Sequence, residues 1–199
     1  MLNIKTLTLG AYRTNCYVVW ADDAETCVVI DPGYEPDVIY ANVRDLGKKI
    51  EAILLTHGHF DHVGGARELA LKAQCPVYLC SEEGPVSEAV ASQPPLYTNT
   101  YQEADTLTMA GTVFEVLQTP GHTSGSICLL AEDAMFSGDT LFAECCGRTD
   151  LPTGSWQEME KSLRRLASLQ KNYKVYPGHG RSTTLSYEKY CNPYMKGTL

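Results

Sequence analysis

Residues 56–62, THGHFDH, constrain this chain more than any other stretch. Three histidines and one aspartate fall within seven positions, in a chain of 199 residues that holds only five histidines. The heptapeptide follows EAILL (51–55), an apolar run that reads as a buried strand, and it leads into a segment with helical spacing from Val63 to Gln74. Side chains two apart in an extended segment point to the same side, so His57 and His59 can aim their imidazoles at one point. Asp61 and His62 lie where the chain turns into the next helix, and their direction can differ. Gly58 leaves room beside them, and Gly64-Gly65 allow a tight helix entry. Four potential ligands in six residues, straight after a buried strand, are a metal-binding signal.

The remaining histidines have similar settings. His122 sits in TPGHTSGS and His179 in YPGHG, each a loop after an expected strand, and Asp139 sits in the Gly-Asp turn of MFSGDT. A lone loop histidine is usually solvated, and an aspartate beside glycine is usually a turn former. Here every histidine of the chain falls at a strand end beside turn residues. That repetition points to one site fed by several strands.

The rest of the pattern sets the architecture. Residues 3–9, 15–21, 27–31, 51–55 and 76–80 read as strands in the first half. Residues 105–109, 112–118, 126–131, 134–138 and 174–180 do so in the second. Val38, Ile39, Val43 and Leu46 share a face of a helix over 36–47. Trp156, Met159, Leu163, Leu166 and Leu169 share a face of the clearest amphipathic helix, 155–169, with Ser155 and Glu158 placed as a capping box. Short helices are expected over 81–92 and 184–191, and 93–103 reads as a loop. Strands joined by hairpin-like turns early in each half and by helices later suggest two sheets packed together with helices outside. No linker is visible, so residues 1–199 are expected to form one domain.

Composition narrows the function. A formal charge of −8 with no basic run argues against nucleic acid as a partner. The start lacks the basic cap and apolar core of a signal peptide, and the longest apolar stretches are strand-sized. The expectation is a cytoplasmic protein with no membrane partner, monomeric or a small homo-oligomer. Eight cysteines without a C-x-x-C pair are expected as free thiols, with Cys16, Cys27 and Cys128 in the core.

The four motifs THGHFDH (56–62), PGHTSGS (120–126), FSGDTLF (136–142) and PGHG (177–180), in that order, resemble the metallo-β-lactamase fold superfamily. The resemblance implies an α/β (α+β) αββα sandwich of two mixed sheets, with a metal site at one rim. It implies that His57, His59 and His122 hold one divalent ion, that Asp61, His62 and His179 hold a second, and that Asp139 bridges them. Zinc is favoured, with iron or manganese as alternatives. A hydroxide between the ions would be the nucleophile, since coordination lowers the pKa of water from about 16 to roughly 7. Asp61 and Asp139 are thus placed in the catalytic centre.

Within the superfamily, Asp139 in place of a cysteine points away from the classical lactamases. His59 in place of a glutamate points away from the flavodiiron oxygen reductases. The acidic charge points away from RNA-processing nucleases. The stretch SGDTLFAECCGRTDLPTGS (137–155) and the tail TTLSYEKYCNPYMK (183–196) are most similar to the short glyoxalase II, or hydroxyacylglutathione hydrolase, group. That branch implies hydrolysis of a small anionic thioester, such as an S-2-hydroxyacyl-thiol of the S-lactoylglutathione type. With 20 residues after His179, the chain is expected to lack the extra helical domain of the full-length enzymes, and it departs from many short members in carrying Arg181 after the last His-Gly. The Gly-Arg-Thr-Asp element at 147–150 also occurs in mononuclear iron persulfide dioxygenases, the alternative reading beside lactone or other ester hydrolysis. Arg148 and Arg181 are candidates for holding a substrate carboxylate. Tyr97, Tyr101 and Tyr190 are candidate cleft walls, with ordinary packing as the competing role. Cys145 and Cys146 follow the Asp139 loop and carry no required role.

Overall fold

Adjacent residues of a strand face opposite sides of a sheet, so a strand apolar on both faces must be covered twice. The computed structural model, which describes residues 1–83 and 97–196, meets that demand with four layers. The first sheet holds β1 (Leu2–Leu9), β2 (Thr14–Ala21), β3 (Thr26–Ile30), β4 (Lys49–Leu54), β5 (Val77–Cys80) and β6 (Asn99–Tyr101) in that order. Its first three strands pair antiparallel and the rest parallel. The chain between β3 and β4 carries helix α1 (Pro36–Asp45), and that between β4 and β5 carries α2 (Phe60–Val63) and α3 (Ala66–Ala73).

The second sheet begins as an antiparallel meander of β7 (Thr106–Met109), β8 (Thr112–Gln118), β9 (Ile127–Ala131) and β10 (Ala134–Gly138). A separate small hairpin follows, β11 (Leu141–Phe142) with β12 (Cys145–Cys146). Helix α4 (Trp156–Ser168) then carries the chain to β13 (Lys174–Pro177), which lies parallel to β10, and β14 (Thr183–Thr184) and α5 (Leu185–Cys191) complete the fold.

Side-chain alternation builds three apolar interfaces. Val19, Val28 and Leu54 meet Phe114, Val116, Ile127 and Phe136 between the sheets. Their neighbours Val18, Val29 and Ile53 face outward onto Ile39, Val43 and Leu69 of α1 and α3. On the other side, Met159, Leu163 and Leu166 of α4 cover Cys128, Leu130 and Val175. The result is an αββα sandwich of two mixed sheets. Burying each such aliphatic side chain contributes roughly 1.5–3 kcal/mol. Ser155 caps α4 in extended conformation, its Oγ accepting from Glu158 N at 3.3 Å.

Several elements differ from the sequence expectation. Val38 is exposed, because it lies a quarter-turn from the buried Ile39. Trp156, in the first turn of α4, is also exposed and packs edge-on against Tyr194, 5.9 Å between ring centroids. The segment expected as a loop over 93–103 contains β6, and the helix expected over 81–92 falls mostly outside the described residues. Tyr101 is core rather than cleft wall: it is buried, and its hydroxyl donates to the Leu55 carbonyl. Tyr97 and Tyr190 are exposed. Cys16, Cys27 and Cys128 are buried, and all eight cysteines are free thiols. Among the described residues no helix is long and apolar enough to cross a membrane.

The loops after β8, β10 and β13 leave the second sheet at one rim. A hydrogen bond from Ile127 N to Thr56 O, 3.0 Å, brings the end of β4 to the same place.

Candidate metal centre

Four segments converge there. His57 and His59 sit in the extended turn between β4 and α2, and Asp61 and His62 lie in the first turn of α2. His122 follows β8, Asp139 follows β10 and His179 follows β13. All the histidines are buried except His179, whose side chain keeps 28% of its exposure.

Close glycines make the convergence possible. A Cβ on Gly33 would lie 1.6 Å from the Asp61 carbonyl oxygen, and one on Gly178 would lie 2.2 Å from Asp139 Oδ1. Backbone packs directly against the ligand-bearing segments at both places, so neither position has room for a side chain.

Among the described residues, three clusters of donor atoms come close enough to hold a metal ion: His57, His59 and His122; Asp61, His62 and His179; and Asp31, His57 and His62. Asp139 lies between the first two, with Oδ2 3.4 Å from His122 Nε2 and Oδ1 3.4 Å from His62 Nε2. The third cluster is support rather than an independent site. Asp31 Oδ1 accepts from Thr56 N at 2.8 Å, and Oδ2 accepts from Thr56 Oγ1 at 2.6 Å and from His62 Nδ1 at 2.9 Å, so its lone pairs are engaged.

The donor set fits cations. His59 Nδ1 lies 2.8 Å from His122 Nε2, and His62 Nε2 lies 3.3 Å from His179 Nε2. Imidazole nitrogens facing each other at such distances need a proton or a cation between them. His57 Nε2 and Asp139 Oδ1 are buried without a hydrogen-bond partner among the described residues. Buried polar atoms left in this way are rare in proteins and call for a ligand. The outer ring nitrogens are meanwhile occupied. His122 Nδ1 donates to Arg148 O at 2.7 Å, His179 Nδ1 to Tyr12 O at 3.1 Å, and His62 Nδ1 to Asp31. Each such bond fixes the tautomer that turns Nε2 inward.

Charge follows the same division. Burial, reinforced by neighbouring imidazoles, holds His57 well below the usual histidine range and His59 down to about 4. Burial also lowers His122, against the pull of Asp139. These three are neutral and ready to ligate. Burial disfavours a charge on His62 too, but Asp139 and Asp31 outweigh it and raise its pKa. Burial works against an ionised Asp61, yet its bond to His179 and the nearby His62 hold the carboxyl below the ordinary range.

A cavity of about 310 Å³ opens over the centre, lined by Tyr12, Phe60, Leu151 and Arg148 together with donor residues from both clusters. Of the substrate candidates, Arg148 reaches this cavity, with its guanidinium paired to Asp150 through two bonds of 2.7 and 2.8 Å. Arg181 lines a neighbouring groove and pairs with Glu144 at 2.8 Å. Tyr97, Tyr101 and Tyr190 are absent from the cavity lining. Sequence reasoning missed Tyr12 and Phe60, whose rings pack edge-on at 5.2 Å, and it missed Asp31. Phe60 sits inside the histidine motif itself, and Asp31 stands at the end of the buried run CVVI; both were visible but carried no chemistry alone.

The family model of the metallo-β-lactamase superfamily matches residues 9–179. The chain belongs to the metallo-β-lactamase superfamily. Among curated members, the hydroxyacylglutathione hydrolase GloC of Haemophilus influenzae is 32% identical over 211 residues, covering 98% of each chain. Among solved members, the chain is similar to the BLEG-1 B3 metallo-β-lactamase at 32% identity, covering 98% of this chain and 100% of that one, with a TM-score of 0.89. It is also similar to a protein crystallised in a di-iron-bound form, at 37% identity, covering 96% of this chain and 99% of that one, with a TM-score of 0.86. Superfamily membership and the histidine–aspartate cluster together make this a divalent-metal site of a metal-dependent hydrolase fold.

Proposed function

We propose that the chain is a dinuclear metallohydrolase of small anionic thioesters, with His57, His59 and His122 holding one ion, Asp61, His62 and His179 the other, and Asp139 shared. The observation that carries the reading is the position of Asp139, whose two oxygens lie 3.4 Å from a histidine nitrogen of each cluster. A shared carboxylate offsets the repulsion between two adjacent cations. Two divalent ions held there would supply Lewis acidity and a water acidic enough to ionise near neutral pH.

The residues of the chain do the rest. Asp31 orients His62, and the Tyr12 and Arg148 carbonyls orient His179 and His122. Tyr12, Phe60 and Leu151 give the cavity apolar walls that exclude water from part of a bound substrate. Among the described residues, every histidine and aspartate lining the cavity belongs to the proposed ligand set, so none of these is left free to protonate a leaving amine. A thiolate, with a pKa of about 8.5, departs without one. This favours a thioester over an amide, and the relative named as a hydroxyacylglutathione hydrolase supports the same choice.

The convergence of Asp61, His62 and His179 also favours two ions over the single iron of a persulfide dioxygenase, which would need only His57, His122 and Asp139. The deciding experiment is metal analysis of protein purified without chelator, followed by a thioester, lactone and β-lactam panel. Two ions per chain with thioester turnover is the expected result. One iron per chain, with oxygen uptake on a persulfide and no thioester turnover, would overturn it.

A further inference from the structure

A second concavity adjoins the metal centre. It is a groove of about 470 Å³ that shares Tyr12 and His179 with the site cavity and is otherwise lined by Thr8, Arg13, Asn15, Gly180 and Arg181. Among the described residues, two arginines and no carboxylate line it, on a chain whose formal charge is −8.

The two arginines come from segments fastened to each other and to the metal centre. Arg13 closes the turn between β1 and β2, its backbone N–H donating to Gly10 O at 3.2 Å. Immediately before it, Tyr12 O accepts from His179 Nδ1. Immediately after it, Thr14 Oγ1 donates to Asp61 Oδ2 at 3.2 Å. Asn15 then binds the loop carrying His179 and Arg181 three times: its N–H to Gly178 O at 2.7 Å, and its Nδ2 to Pro177 O at 3.1 Å and Gly180 O at 2.9 Å. Arg13 is therefore held at a fixed place beside a prospective metal ligand.

Its backbone conformation is also unusual. Arg13 has φ +55°, in the left-handed region that favours glycine or asparagine. The turn between β1 and β2 calls for that conformation, which nine non-glycine residues adopt among the described residues. The Arg13 guanidinium makes no ion pair among the described residues. Among the described residues Arg181 pairs only with Glu144, an exposed pair that a stronger anion can displace at little cost.

We propose that this groove is a subsite for the anionic end of the substrate's leaving thiol, with Arg13 as its anchor and Arg181 as an auxiliary. The inference rests on the thioester reading and refines it, since it requires a thiol carrier bearing a carboxylate or phosphate. Guanidinium pairs with either group through a two-pronged hydrogen bond. The groove would supply a grip on the carrier from within the sandwich itself.

The test has a turnover arm and a binding arm. In the first, one acyl group is presented on glutathione, on 4′-phosphopantetheine and on neutral N-acetylcysteamine, to wild type and to Arg13→Ala. The expected result is a KM ratio, neutral over anionic, of at least 10 in wild type for one of the two anionic carriers. That carrier identifies carboxylate or phosphate as the natural group, and Arg13→Ala should reduce its ratio about tenfold. A ratio unchanged in Arg13→Ala would overturn the proposal, as would an equal fall in Arg67→Ala, which removes the same charge from the exposed side of α3. In the second arm, calorimetry follows binding of S-methylglutathione and of S-methyl-phosphopantetheine to the metal-replete protein. Binding that weakens about tenfold in Arg13→Ala supports the groove; no binding, or equal binding by both proteins, overturns it. Should binding depend on Arg13 while no thioester is turned over, the subsite stands and the hydrolase reading falls.

Discussion

Asp31 Oδ2 lies 2.9 Å from His62 Nδ1, joining the end of β3 to the first turn of α2 across 31 residues of chain. The same carboxylate holds Thr56 through its backbone N–H and its hydroxyl, so one buried group fixes both flanks of the histidine motif. Outer partners of this kind typically contribute 10- to 100-fold to metal affinity. Asp31→Asn keeps the volume and suits the left-handed backbone at φ +51°, but removes the charge behind His62. The expected outcome is an affinity weaker by about 10- to 100-fold for one of the two ions. Chelator competition with metal analysis reads this directly, and unchanged affinity for both ions would refute the support role.

Gly178→Ala should disable the centre while leaving the fold intact. The new methyl would stand 2.2 Å from Asp139 Oδ1 and 2.6 Å from His62 Cε1. The backbone cannot easily retreat, because Gly178 donates to Gly138 O at 2.8 Å and accepts from Asn15 N at 2.7 Å. Displacing a reacting constellation by about 1 Å costs on the order of 100-fold in rate. The matched control is Gly47→Ala, at φ +69° after α1 with nothing within 4 Å of its Cβ. That variant should lose about 1 kcal/mol of stability from backbone strain and no activity. Comparable activity in both variants would count against Asp139 as the shared group.

What the sequence made legible, and what it hid, follows from how local each signal is. His57 and His59 could be read as partners because alternation in an extended segment is a two-residue rule. His122, Asp139 and His179 could be read as candidates because each stands beside turn residues after an apolar run. Their convergence is a tertiary fact, visible beforehand only through the family resemblance. Asp31 escaped notice because an aspartate before Pro-Gly reads as a turn former, whatever it bonds to across the sheet. Strands β6, β11, β12 and β14 have two or three residues each, too few for a period to show. Val38 and Trp156 are apolar residues placed on buried faces by spacing, yet the helix rotation and the helix start leave them in solvent.

Removing metal should lower thermal stability as well as activity. The unpartnered His57 Nε2 and Asp139 Oδ1 need a cation to satisfy them, and the facing nitrogens of His59 and His122, at 2.8 Å, can share one in place of a proton. An ion present at about 100 times its dissociation constant stabilises the native state by roughly 2.7 kcal/mol. For a chain of this size that corresponds to a melting shift of roughly 5–10 °C per ion. Chelation followed by scanning calorimetry should show the fall, and adding zinc, iron or manganese should reverse it. A melting temperature indifferent to chelator, in protein verified as stripped, would argue that these residues hold no ion.

Glu83 predicts a pH dependence separable from the metal ligands. Its carboxylate accepts from Thr123 Oγ1 at 2.9 Å and from the backbone N–H groups of Gly58 and Gly125, so it ties the loop of His57 and His59 to the loop of His122. Burial pushes the carboxyl up to about 7, outweighing those bonds. In the unfolded chain it titrates near about 4.3. Between the two values the native state keeps a proton that the unfolded chain has released. The stabilising contribution is therefore complete below the unfolded pKa and is lost as pH rises through the folded one, at up to about 1.4 kcal/mol per pH unit. Glu83→Gln mimics the protonated form and removes the slope. Denaturant titrations of both stripped proteins from pH 4 to 8 should show the variant gaining on wild type up to about pH 7 and holding level above it. The histidines titrate equally in both proteins and cancel in the difference. A difference that stays constant across the range would mean that Glu83 binds its proton equally in the folded and unfolded chain, and would refute the raised pKa.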